Sequence, residues 1–411
     1  MSSELDQAPP AVKTMSQCAT RWAGHFFRVV PPKIAVMRRT RNEQRWATPF
    51  HHYPSLEDFL TSPVDPGGIT FQHQGHDIDV LYEHRGSDAT LVVFNAAIAF
   101  THEHTPIFTG QTLARQAGTN LIAVSDPLLC HQQISAAWYL GDQHTGPLRP
   151  VLAPAIQHIL NATGSTRTIL FGASGGGYAA EHYAHQFPGS IALLMNPRLS
   201  LARANTFHMP RYMEHGHGIT SNGVLTDEHH QLLERYGPVH LATAATDGLN
   251  HDLLIYQNLL DARFIQDQFL PFAEATGQDP RFHVRLANDG PDHVRIPFPT
   301  LRNIITTLQK TPHQPTAIST AGFTPYAHAG PQALQHMPKI GTEVIQLKNS
   351  TATLEQRVEE LEATNQQLIT EAHQYQQQLN RLQQEPKFAH RLWRVIPHRW
   401  RQRIKHLLKR G

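Results

Sequence analysis

The sequence predicts an α/β protein: a mostly parallel sheet covered by helices on both faces, followed by a long helix and a basic tail. Three observations predict it. Short apolar, β-branched runs alternate with helix-length amphipathic stretches between residues 90 and 286. Two further strand-like runs flank a turn at Gly75 just before them. Beyond residue 336 the apolar period becomes seven, the signature of a helix with a partner seam.

The elements follow in order. Residues 69–73 and 77–82 read as an antiparallel pair, and 90–95 as a third strand. Further strands are expected at 121–125, 168–171, 191–195, 253–257 and 282–286. Helices are expected near 109–117, 151–161, 178–186, 228–236 and 265–276. Fully apolar strands separated by helices must be buried on both faces, which a parallel sheet between two helical layers provides. An antiparallel pair leading into such a sheet is the order of the α/β-hydrolase fold.

At 411 residues, with 40% hydrophobic and 17% charged, the chain can hold a catalytic core and additional segments. The expected division is an irregular N-terminal region over 1–60, a hydrolase domain over 61–310, a linker over 311–336, a coiled coil over 337–385 and a basic amphipathic tail over 386–411. The linker reading rests on its Pro, Thr, Ala, His and Gly content. Cys18 and Cys130 form neither a disulfide framework nor a zinc pattern, which fits a reducing compartment. No secretory leader is expected from the polar first fifteen residues, and no run approaches the ~20 apolar residues of a spanning helix. The expected location is cytoplasmic. The 29 histidines are scattered, so no metal site and no cofactor are expected.

The chemistry-bearing signal is a strand over 168–171, then Gly172-Ala173-Ser174-Gly175-Gly176, then a run of helix formers. This is a nucleophile elbow in its required context. Small neighbours let strand and helix approach closely, and the helix N-terminus turns N–H groups toward a developing oxyanion. A phosphate loop would carry a lysine there, and none is present. Ser174 is therefore the expected nucleophile. His293 follows the last strand in a Gly-Pro loop, where an imidazole reaches back over the sheet as general base. Asp261 stands just past the strand at 253–257 and is the expected acid, over Asp252, Asp267, Asp289 and Asp292. The Gly175 amide is the first expected oxyanion donor, and the amide of Ala96 or Ala97 the second.

Several segments then carry a resemblance. They are Leu91-Val-Val-Phe-Asn-Ala-Ala, Ser125-Asp-Pro, Ala137-Trp-Tyr-Leu-Gly, the elbow, Asn196-Pro-Arg, Tyr256-Gln-Asn-Leu-Leu-Asp and Gly290-Pro-Asp-His. Over about residues 69–308 the chain resembles bacterial α/β-hydrolase-like proteins of cell-surface glycan pathways, the accessory-Sec glycan O-acetyltransferase group in particular. The resemblance implies acyl or acetyl transfer or ester hydrolysis, with an acyl donor and a saccharide acceptor. It matches Ser174, Asp261 and His293 to the triad positions. Ala96 stands where that group often has glycine. The alternative reading is a non-catalytic hydrolase-like scaffold in a membrane-associated glycan assembly.

The C-terminal segments bear on partners. Val344, Leu347, Thr351, Leu354, Val358 and Leu361 open an a/d series that runs to Leu382, about six heptads or 60 Å. Asn365 at an a position favours a parallel homodimer, because a buried amide is best satisfied by its own copy. Nine of the 35 lysines and arginines lie from Pro386 onward with no acid among them, leaving 26 against 33 acids in the rest. Trp393, Trp400, Arg394 and Arg401 belong to this tail, whose aromatic and cationic faces fit an anionic membrane surface. The competing readings of the tail are a docking helix for a partner protein and nucleic-acid binding, and the acidic body argues against the latter, so no nucleic-acid partner is expected.

Overall fold

The computed structural model describes residues 38–203, 207–221, 224–245, 247–328, 342–384, 394 and 396–407. Its centre is a ten-stranded sheet. The strands, in chain order, are β1 Phe50–Tyr53, β2 Gly67–His73, β3 His76–Glu83, β4 Ala89–Phe94, β5 Asn120–Val124, β6 Arg167–Ala173, β7 Ile191–Met195, β8 Asp252–Asn258, β9 Phe282–Ala287 and β10 Thr324–Pro325. They lie side by side as β10-β9-β8-β7-β6-β4-β5-β3-β2-β1. β2 and β3 pair antiparallel about the Gly75 turn, β3 joins β5 antiparallel, and the six strands from β5 to β9 run parallel. The exchange of β4 and β5 in an otherwise sequential order, behind an antiparallel entry, is the α/β-hydrolase fold.

Alternation along each strand explains the two helical layers. In β4, Val92 and Phe94 face one buried cluster while Leu91 and Val93 face the other. The first cluster is filled by α2 (Arg149–Thr163) and α3 (Gly175–Ala184) through Leu152, Ile156, Ile159 and Tyr183. The second takes α1 (Gln111–Ala117) and α4 (Phe298–Lys310) through Leu113, Ile304, Ile305 and Leu308. Each fully buried Leu or Ile contributes ~1.5–3 kcal/mol relative to exposure, so removing either layer would strip the sheet of its cover.

Two expected boundaries shift. The irregular region predicted through residue 60 gives way to β1, which pairs parallel with β2, and to the short helix Leu56–Thr61, capped by Ser55. Arg39 ties the chain down before that, its guanidinium donating to the carbonyls of His102, Leu129, His131, Ile134 and Gln132. The linker predicted from residue 311 begins later. Residues Gln314–Thr320 form α5, Ile318 and Phe323 are buried against the second layer, and β10 closes the sheet antiparallel to β9. Pro and Thr content misled here, because only a few apolar residues are needed to seat a short edge segment.

The heptad region is one continuous helix, α6 Thr342–Gln384, on which Leu354, Val358, Leu361 and Leu368 stand exposed. The tail holds α7 His398–Leu407, immediately after Pro397. Trp400 is exposed there, while Arg401 folds back to donate to the carbonyls of Ile396 and Arg394. Trp393 lies outside the described residues. No helix among the described residues is long and apolar enough to cross a membrane.

Candidate active site

The C-terminal ends of β4, β6, β7, β8 and β9 meet at one edge of the sheet, where open α/β sheets hold their ligands. Ser174 sits between β6 and α3 with φ 49° and ψ −118°, a left-handed backbone that a side-chain-bearing residue adopts only when its surroundings enforce it. They do so here. The Ser174 amide donates to Met195 O at 3.0 Å, and its carbonyl accepts from Arg198 N at 2.9 Å and Gly177 N at 3.0 Å. Two glycines are obligatory. A Cβ on Gly172 would lie 1.9 Å from Gly176 O, and one on Gly176 would lie 2.4 Å from Phe94 O.

His293 and Asp261 are in contact, His293 Nδ1 lying 2.5 Å from Asp261 Oδ2. An ionised carboxylate only accepts, so Nδ1 carries the hydrogen and Nε2 is left basic. Asp261 is buried and performs a second task, its Oδ1 accepting from Phe264 N at 3.3 Å as the cap of the short helix Ala262–Phe264. The Phe264 ring then stacks on the imidazole with centroids 3.9 Å apart. The Arg198 guanidinium lies 5.6 Å from the centroid of the same Phe264 ring, and burial lowers its pKa to about 10. Ser174 is thus linked through Arg198 and Phe264 to His293. Among the described residues the Ser174 hydroxyl makes no hydrogen bond; catalytic contacts of this kind often tighten only when substrate arrives.

The competing acids are engaged or displaced. Asp289 accepts from the Tyr256 hydroxyl at 2.8 Å, Asp252 accepts from Gln314 at the far end of β8, and Asp267 pairs loosely with Arg263.

Sequence reading missed the groups that hold the histidine loop. The buried amide of Asn258 donates to Gly290 O at 2.8 Å and Asp292 O at 2.9 Å, and its oxygen accepts from Asp289 N at 3.2 Å. Asn196 donates to Val294 O at 3.1 Å and accepts from Asn258 N at 2.7 Å. Both lie in segments quoted for the resemblance, but nothing local to either one signals a clamp.

Gly175, Ala96 and Ala97 line one small pocket with Trp138. Gly175 is the first residue of α3, so its N–H has no acceptor within the helix. The Asn95 side chain is engaged at both ends, its oxygen accepting from the Tyr139 hydroxyl and its nitrogen donating to Ala96 O at 2.9 Å. Trp138 was not anticipated. It is buried, its indole N–H lacks a hydrogen-bond partner among the described residues, and Nε1 would be 3.3 Å from a Cβ on Gly175. Trp138 and Tyr139 both have left-handed backbone, at φ 53° and 58°. Asp126 fixes that turn by accepting from Tyr139 N at 2.8 Å and Leu128 N at 3.2 Å, and burial raises its pKa to about 6. A second, larger cavity runs beside the Arg41–Asp79 pair and includes none of Ser174, Asp261 and His293.

No protein-family model matches the chain, and no curated protein is significantly similar to it. Solved structures are. The capsule O-acetyltransferase of Neisseria meningitidis serogroup A is 14% identical, with a TM-score of 0.42 over 62% of this chain and 99% of that one. An S-formylglutathione hydrolase from Agrobacterium tumefaciens is 16% identical, with a TM-score of 0.38 over 59% and 94%. A glycosylation-associated protein complex from Streptococcus agalactiae is 16% identical, with a TM-score of 0.35 over 52% of this chain and 40% of that one. The fold assignment itself rests on strand order and on the elbow after β6.

Proposed function

We propose that the chain is a serine-dependent acyl-ester hydrolase or O-acyltransferase. The observation that carries this is the Asp261–His293 pair, its carboxylate buried and its imidazole exposed, held at the same sheet edge as a serine in a left-handed elbow. Ser174 Oγ attacks the acyl carbonyl while His293 Nε2 takes its proton, and Asp261 stabilises the imidazolium. The Gly175 amide and an amide from Ala96 or Ala97 receive the oxyanion. The Trp138 indole N–H adds a side-chain donor to the same pocket. Collapse returns the proton from His293 to the leaving oxygen and leaves an acyl-serine. Water or a sugar hydroxyl then attacks it with His293 again as base. The saccharide acceptor rests on the sequence resemblance alone.

Turnover of p-nitrophenyl acetate by wild type and Ser174→Ala tests this reading. Wild type should release nitrophenol and the variant should fall by at least ~10³-fold. Equal rates would favour the scaffold reading. Including a saccharide acceptor separates acyl transfer from hydrolysis by the fate of the acyl group.

The exposed apolar seam of α6 and the cationic tail support a homodimer that holds its catalytic domains at an anionic membrane surface on the cytoplasmic side. Deleting residues 342–411 should yield a monomer by light scattering that no longer co-sediments with anionic vesicles. A truncated chain that still dimerises or still binds vesicles contradicts that assignment.

A further inference from the structure

A second cluster lies at the far end of the nucleophile helix, about 15 Å from Ser174 at 1.5 Å per residue. Glu181 and His185 are one turn apart there, and His251 approaches from the residue before β8. Glu181 Oε2 is 3.0 Å from His251 Nε2, Glu181 Oε1 is 3.5 Å from His185 Nε2, and one donor atom from each residue falls within 4.8 Å of the others. The Glu181 and His251 side chains are 1% and 0% exposed, His185 16%.

Hydrogen bonding fixes what these atoms present. Asn250 Nδ2 donates to His185 O at 2.9 Å, so Asn250 Oδ1 faces His251 Nδ1 at 3.0 Å as an acceptor. The His251 hydrogen is therefore on Nδ1, and Nε2 turns a lone pair toward a carboxylate oxygen. Two lone pairs at that distance need a cation between them. Glu181 Oε1 and His185 Nε2, both buried atoms, have no hydrogen-bond partner among the described residues.

We infer that Glu181, His185 and His251 form a binding site for a single zinc-like divalent transition-metal ion. Ligands at 2.0–2.2 Å in tetrahedral array stand about 3.3 Å apart, close to the two distances here. Two imidazoles and a carboxylate suit zinc or its first-row neighbours, whereas calcium and magnesium prefer all-oxygen sites. Asn250 orients His251 as an outer partner of a ligating histidine does. His185 caps α3, where the helix dipole favours a cation. The ion braces the C-terminal end of α3 against the start of β8, and it takes no part in chemistry at Ser174. The expectation of no metal arose because His251 is 70 residues from Glu181 in sequence.

Metal content and cobalt spectroscopy of the full chain test the site without reference to ester turnover. Chelator-treated protein dialysed against Zn²⁺ should retain one equivalent that His185→Ala lacks and the exposed-histidine control His328→Ala keeps. The wild-type melting temperature should rise with Zn²⁺ and not with Mg²⁺ or Ca²⁺. Co²⁺ should give tetrahedral d–d bands in wild type that are lost in both His185→Ala and Glu181→Gln. Zinc retained equally by His185→Ala, or no bound equivalent and no thermal shift in wild type, overturns the proposal. The cation between Glu181 and His251 is then a proton.

Discussion

At the scale of single residues, the site depends on groups that do two things at once. Asp261 caps a helix with one oxygen and orients His293 with the other, so its position is set before any substrate arrives. Trp138 shows the opposite case, a buried donor with no acceptor among the described residues, beside Gly175. An unmade buried hydrogen bond costs ~1–3 kcal/mol, and a donor left unmade in a strained turn calls for an explanation that a ligand would supply. Trp138→Phe keeps the ring and removes the donor. It should lower kcat on p-nitrophenyl acetate by about 10²-fold, with KM and melting temperature near wild type. A loss confined to KM or to stability would make Trp138 a packing residue. Ser174, Gly175, His293 and Asp261 could be proposed from the sequence because each is announced by neighbours within a few positions. Trp138 was not, since its role arises from a contact with Gly175 across 37 residues of chain.

At the scale of elements, the loop after β9 carries His293, the proposed base, and two asparagines from neighbouring strand ends hold that loop. Asn258 is buried and satisfies two loop carbonyls and one loop amide. Asn258→Ala should therefore cost ~1–3 kcal/mol in stability and also lower kcat by roughly tenfold or more, through misplacement of His293. Stability and activity can be read from denaturant titration and steady-state rates of the same sample. A destabilised variant with unchanged kcat would separate the clamp from catalysis. The parallel strands were legible because their apolar runs are long and their helical spacers regular. The edge strands β1 and β10 were not. Four and two residues are too few to show a period, and each is recruited by the strand already beside it.

At the scale of the molecule, charge and apolar surface are segregated along the chain. An acidic body carries the proposed site, a 43-residue helix carries an exposed apolar seam, and the cations gather at the C-terminal end. The heptad spacing in the sequence gave the helix, whereas the number of chains sharing its seam is a property of the assembly and leaves no trace in the path of one chain. The central claim is that Ser174 is an activated nucleophile, and the most direct measurement is fluorophosphonate labelling of the full chain followed by peptide mapping. The account predicts one adduct per chain, on the peptide bearing Ser174, and none when His293 is replaced by alanine. No adduct on the folded protein, or an adduct on any other residue, would contradict it.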